Sequence, residues 1–124
     1  MRKIFIMSLV LLCLLAGCSQ SATWQTINAE QARQMMASED YFLLDVRSEA
    51  EFHQAHIAGA VRISYSELAA RAGELPSHSM VILVYCQTGR RSAIAAQVLA
   101  ERGFARVYDF GGIAHWPFVV ITGE

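Results

Sequence analysis

The feature that most constrains this chain is a run of six apolar residues, Met80 to Tyr85, that ends on a cysteine and a glycine-containing turn. A run without polar alternation reads as a central parallel strand buried on both faces. It continues as Cys86-Gln87-Thr88-Gly89-Arg90-Arg91-Ser92, after which Ile94, Ala95, Val98 and Leu99 recur at helical spacing until Gly103 supplies a left-handed stop. Strand, tight turn and helix in that order put Cys86 beyond the carboxyl end of a strand, where open α/β sheets collect their ligands.

Upstream and downstream the same alternation repeats. Trp24 to Ile27 is a short strand, and Asn28 with Gln31 forms a capping box ahead of a helix whose apolar face is Ala32, Met35 and Met36. Phe42 to Val46 and Ala60 to Ile63 are further buried runs, separated by a Glu-, His- and Gln-rich segment expected to be a loop with a short helical turn. Ser64 and Glu67 read as a second capping box, before a helix with Leu68, Ala69, Ala72 and Leu75 inward that Gly73 and Pro76 end. Arg106 to Phe110 is the last strand, and Gly111-Gly112 leads out of it. The pattern predicts an α/β fold, an approximately five-stranded parallel sheet with helices on both faces.

The amino terminus is different in kind. Met1-Arg2-Lys3 is positive, and Ile4 to Ala16 is apolar apart from Ser8. That stretch falls short of the roughly twenty residues a membrane span needs, so it reads as an export signal. Its end, Leu15-Ala16-Gly17-Cys18, resembles the lipobox of bacterial lipoproteins. The resemblance implies that residues 1–17 are removed, that the Cys18 sulfur carries diacylglycerol, and that 18–22 tether one domain over 23–124. Serine rather than aspartate at position 19 suggests, by analogy, the outer membrane, with the domain in the periplasm of a bacterial cell envelope.

Lys3 is the only lysine, so a domain without the signal has no lysine for Schiff-base chemistry, and its acidic side chains outnumber its arginines. Nucleic acid is therefore not an expected partner. With Cys13 gone and Cys18 a thioether, Cys86 is the one thiol left, and no intramolecular disulfide can form. An unpaired thiol in an oxidising compartment points to chemistry. The amides of the turn from Cys86 to Arg91, with the positive end of a helix beginning near Ser92, would cradle an anion. A thiolate there is favoured over the thiol, below the free pKa of about 8.5. Gly89 lets the backbone turn, and Arg90 and Arg91 offer donors shaped for an oxyanion, with Gln87, Thr88 and Ser92 completing the binding loop.

These residues resemble the rhodanese family. Its active loop, Cys-X-X-Gly-X-Arg followed by Ser, is matched by Cys86, Gly89, Arg91 and Ser92. Leu43-Leu44-Asp45-Val46-Arg47 with Glu51-Phe52, His56-Ile57-Ala58-Gly59-Ala60, and Gly111-Gly112 with Trp116 are similar to three further family segments, in the right order. The resemblance implies a sulfurtransferase that moves sulfane sulfur from a donor such as thiosulfate, through a Cys86 persulfide, to cyanide or a thiol. No metal or organic cofactor is implied; a periplasmic reductant of Cys86 is a possible further partner.

Asp45 and Arg47 are expected to pair as scaffold, His56 to hold a loop by a hydrogen bond, and Trp116 to anchor the core. His53, His78 and His115 show no metal-ligand spacing. Two other readings compete: a cysteine phosphatase or arsenate reductase, disfavoured by only four residues between Cys86 and Arg91, and a non-catalytic binding module.

Overall fold

The computed structural model describes residues 22–123; the expected export signal and the expected lipidation site at Cys18 lie outside the described residues. Five strands, β1 (Gln25–Thr26), β2 (Tyr41–Asp45), β3 (Val61–Arg62), β4 (Val81–Cys86) and β5 (Val107–Gly112), form one sheet in the order β1-β5-β4-β2-β3. Every pairing is parallel. The helices are α1 (Ala29–Ser38), α2 (Glu49–Gln54), α3 (Leu68–Arg71) and α4 (Arg90–Glu101), with 3₁₀ turns at Ala72–Glu74 and Ile113–His115.

The apolar run does occupy the centre. All six residues of β4 are buried, and they alternate between two cores. Ile82, Val84 and Cys86 pack with Leu68, Ala95, Ala96, Leu99 and Phe104 on the α3/α4 side. Val81, Leu83 and Tyr85 pack with Ala32, Ile57 and Phe110 on the α1 side. A strand covered on both faces has no room for polar alternation.

Helix ends follow local chemistry. Asn28 Oδ1 accepts from the Gln31 amide at 2.8 Å while Gln31 Oε1 accepts from the Asn28 amide at 2.9 Å, closing the start of α1 as expected. At the end of α4, the Phe104 amide reaches Leu99 O and the Gly103 amide reaches Ala100 O, with Gly103 left-handed at φ 91°. That pair of bonds is the Schellman stop.

Three local expectations are corrected. Ser64 and Glu67 form no capping box: the Glu67 amide closes a turn on Ser64 O, the Ser64 hydroxyl pairs with Ser66, and the Glu67 carboxylate turns to Arg71. The helix therefore starts later and is only four residues long, with Ala69 exposed. The Glu-rich segment does hold the expected short helical stretch, the six-residue α2, with its own box between Ser48 and Glu51. In α4 the buried stripe is Ser92, Ala95, Ala96, Leu99 and Ala100, while Ile94 is 43% exposed. Small residues at that spacing let the helix lie close on the sheet, a choice apolarity alone does not reveal. Finally, α4 begins at Arg90 rather than near Ser92, and Gly111 and Gly112 belong to β5.

Candidate active site

The last residue of β4 carries the site. Register with β5 slips between Val84 and Cys86, so that Cys86 pairs with Gly112 rather than continuing the ladder. The backbone then turns through Gln87, Thr88 and Gly89 into α4. Gly89 sits at φ 108°, a left-handed region costly to any residue with a Cβ. Gly112 is needed for a different reason: a Cβ there would lie 2.1 Å from Gln87 O and 2.7 Å from Thr88 Cα. The active turn rests directly on the bare backbone of β5.

Cys86 is free and only 1% exposed. The Gly89 amide donates to its Sγ at 3.0 Å, and the Ser92 Oγ lies 3.5 Å away. Burial by itself pushes the thiol pKa up. The Ser92 hydroxyl and amide, with the Gly89 and Thr88 amides, outweigh burial and leave the thiol below its ordinary value. The cradle thus acts on the sulfur through neutral donors.

The loop residues divide into those that face the sulfur and those that do not. Ser92 is wholly buried beneath Sγ, with its hydroxyl within 3.1 Å of Gly89 O and 3.3 Å of Gly111 O. It underpins the sulfur instead of lining an outer oxyanion site. Arg91 is likewise committed: Nη1 and Nη2 meet Glu51 Oε1 and Oε2 at 2.7 and 2.8 Å. The Arg91 pairing, first among the causes, holds the Glu51 carboxyl down at about 2. Arg91 is therefore not a free clamp for an anion. Arg90 and Thr88 are exposed, and Arg90 makes no ion pair among the described residues.

Behind the turn, Arg47 ties three segments together. Its guanidinium meets Asp45 at 2.7 Å, donates to Ala55 O at 2.6 Å and to Gln87 Oε1 at 3.1 Å, and is almost fully buried. Gln87 is thereby held by its side chain as well as by the bond from the Ala114 amide to its carbonyl. His56 Nδ1 lies 2.9 Å from Phe52 O, and its ring stacks on Phe52 at 3.8 Å. His56 also bridges to Ile121 in backbone hydrogen bonds, fixing the C-terminal segment. Trp116 is partly buried against Phe110, its indole N–H without a partner. Beside the turn opens a cleft of about 380 Å³ between Arg47, Glu51 and Gln87 on one wall and Ile113, Trp116 and Phe118 on the other. Among the described residues no cluster of metal-ligating side chains forms.

Sequence reasoning missed Glu51 and Gly112 as parts of the site. The first had a readable signal, Ser48-x-x-Glu51, but its bond to Arg91 spans forty residues. The second was legible only as part of the family-like Gly111-Gly112 ending, because its close approach to Gln87 exists only in three dimensions.

Fold and site together define an α/β domain that presents a buried, hydrogen-bonded cysteine at the start of a helix. The chain belongs to the rhodanese family: the model of the rhodanese-like domain matches residues 28–117. It is 35% identical over 71 residues to the thiosulfate sulfurtransferase PspE of Escherichia coli, covering 56% of this chain and 68% of the relative. It is also 35% identical over 92 residues, 73% of this chain, to the putative sulfur carrier protein YrkF of Bacillus subtilis, of which it spans 49%. Among solved structures, a rhodanese with anions from E. coli superposes with a TM-score of 0.63 at 31% identity, over 67% of this chain and 99% of that one.

Proposed function

We propose that this protein is a sulfurtransferase that carries sulfane sulfur on Cys86. The observation that supports it most is the seat of the sulfur: a Gly89 amide at 3.0 Å, further donors from Thr88 and Ser92, and a thiol pKa lowered in spite of burial. The Cys86 thiolate attacks the outer sulfur of thiosulfate. The S–S bond of the donor breaks, sulfite leaves with the electron pair, and Cys86 becomes a persulfide anion. Cyanide or a thiolate then takes the outer sulfur and returns the Cys86 thiolate, so the kinetics are ping-pong. The Arg90 and Arg91 amides, in the first turn of α4, lack intrahelical partners and are the donors left for the departing sulfite. Arg90 adds an uncommitted positive charge, whereas Arg91 serves by fixing Glu51 and α2 against the loop. The same reading includes an anchor at Cys18 and a periplasmic domain, supported by the sequence from Leu15 to Cys18.

Incubation of the domain with thiosulfate should add one sulfur atom to Cys86 by mass spectrometry, and Cys86→Ser should abolish both the adduct and thiocyanate production. An unmodified wild-type Cys86 would leave the non-catalytic binding reading in its place.

A further inference from the structure

The direction in which the site faces follows from the topology. Every strand runs the same way, and Cys86 ends the central one, so the chain enters the domain at the pole opposite the sulfur. One hydrogen bond and one shared hollow place that entry. Trp24 Nε1 donates to Gln97 Oε1 at 2.9 Å, on the second half of α4. Ala22 and Thr23 border a hollow with Glu101, Gly103 and Phe104, at the far end of that helix. α4 has 12 residues and begins beside the Cys86 turn. At 1.5 Å per residue it separates entry from mouth by about 18 Å.

From Cys18 to Ala22 the chain spans at most about 14 Å, whatever its conformation. Pressing the Cys86 mouth onto the bilayer that holds the Cys18 lipid would lift Ala22 about 18 Å above it, beyond that reach. We propose that the anchor holds the active site away from its own membrane, so that donor and acceptor are water-soluble species arriving from the aqueous side. The shortness of the tether works against sulfur carriers fixed in the bilayer. This inference rests on the sulfurtransferase and lipid-anchor reading above.

The test uses one reactive group in two places. Alkanethiosulfonate anions give their outer sulfur to a thiolate with loss of an alkanesulfinate, which keeps the bonding pair of the broken S–S bond. Methanethiosulfonate stays in water, whereas hexadecanethiosulfonate stays in the vesicle. The full chain, processed in a bacterial host and reconstituted in dilute phosphatidylcholine vesicles, is assayed with each donor and aqueous cyanide. The soluble donor should turn over within about twofold of the rate in detergent, and the vesicle-held donor at least about tenfold more slowly than in detergent. A Gly/Ser insert of about twenty residues between Ala22 and Thr23, with an r.m.s. span of about 25 Å, should restore use of the vesicle-held donor. Full use of the vesicle-held donor by the native lipoprotein, or no gain from the insert, overturns the inference. Absence of diacylglycerol on Cys18 by mass spectrometry, or no turnover of the soluble donor in either medium, overturns the underlying reading instead.

Discussion

At the starts of α1 and α2 the protein closes its own amides, whereas at the start of α4 it leaves them for sulfur. Asn28 accepts the third amide of α1 and Ser48 the third amide of α2, each answered by a Gln or Glu side chain. The N-cap of α4 is Gly89, which has no side chain to offer. Its third amide, that of Ser92, faces Cys86 instead. A side-chain cap is worth about 1 kcal/mol, and its omission here releases donors that favour a thiolate. The difference separates helix starts closed by their own side chains from one whose donors turn to a cysteine sulfur.

The sharpest way to break that contrast is to disturb the support beneath the uncapped turn. Gly112→Ala places a Cβ 2.1 Å from Gln87 O, so the turn must move; denaturant titration should show a loss of about 3 kcal/mol or more, with no persulfide formed by the protein that remains folded.

Ser92→Ala is gentler and more specific. Removing the hydroxyl takes one donor from the thiolate, so the thiol pKa rises, and at fixed neutral pH the charged fraction falls. Alkylation of Cys86 by iodoacetamide should therefore be slower than in wild type at pH 7. The two proteins should converge at high pH. Equal pH–rate curves for the two would remove Ser92 from the account.

Glu51→Gln keeps the α2 cap but breaks the ion pair to Arg91. A carboxyl held at about 2 against an ordinary 4.5 stabilises the fold fully above 4.5, and this is lost as pH falls toward 2. The variant should lose about 1 kcal/mol at pH 7, discounted for partial exposure, and should show less acid destabilisation than wild type. Stability measured from pH 7 to 3 checks both.

Asn28→Ala should have the smallest effect on chemistry. The unfolding free energy from denaturant titration should fall by about 1 kcal/mol, while Cys86 alkylation stays unchanged. A change in thiol reactivity there would mean that the helix starts are coupled and that the contrast between them is false.

Much of this was legible along the chain. The α1 capping box, the Gly103 stop and the doubly buried β4 each depend on neighbours within a few residues, so local pattern was enough. The failures share a cause as well. Ser64 and Glu67 have the spacing of a box, yet a competing turn on Ser64 O and the pull of Arg71 on Glu67 decide otherwise. Ile94 looked inward by composition, but the close fit of Ala95, Ala96 and Ala100 against the sheet turned it out.

For the site, the sequence by itself singled out Cys86 as the candidate nucleophile and placed a tight turn leading from it into a helix, because those are properties of adjacent residues. Only the tertiary structure decided which donors reach the sulfur, that Glu51 consumes the charge of Arg91, that β5 must be bare at Gly112, and that the chain enters opposite the mouth. Each of these depends on the distance between segments far apart in the chain, and such distances are set by how the layers pack.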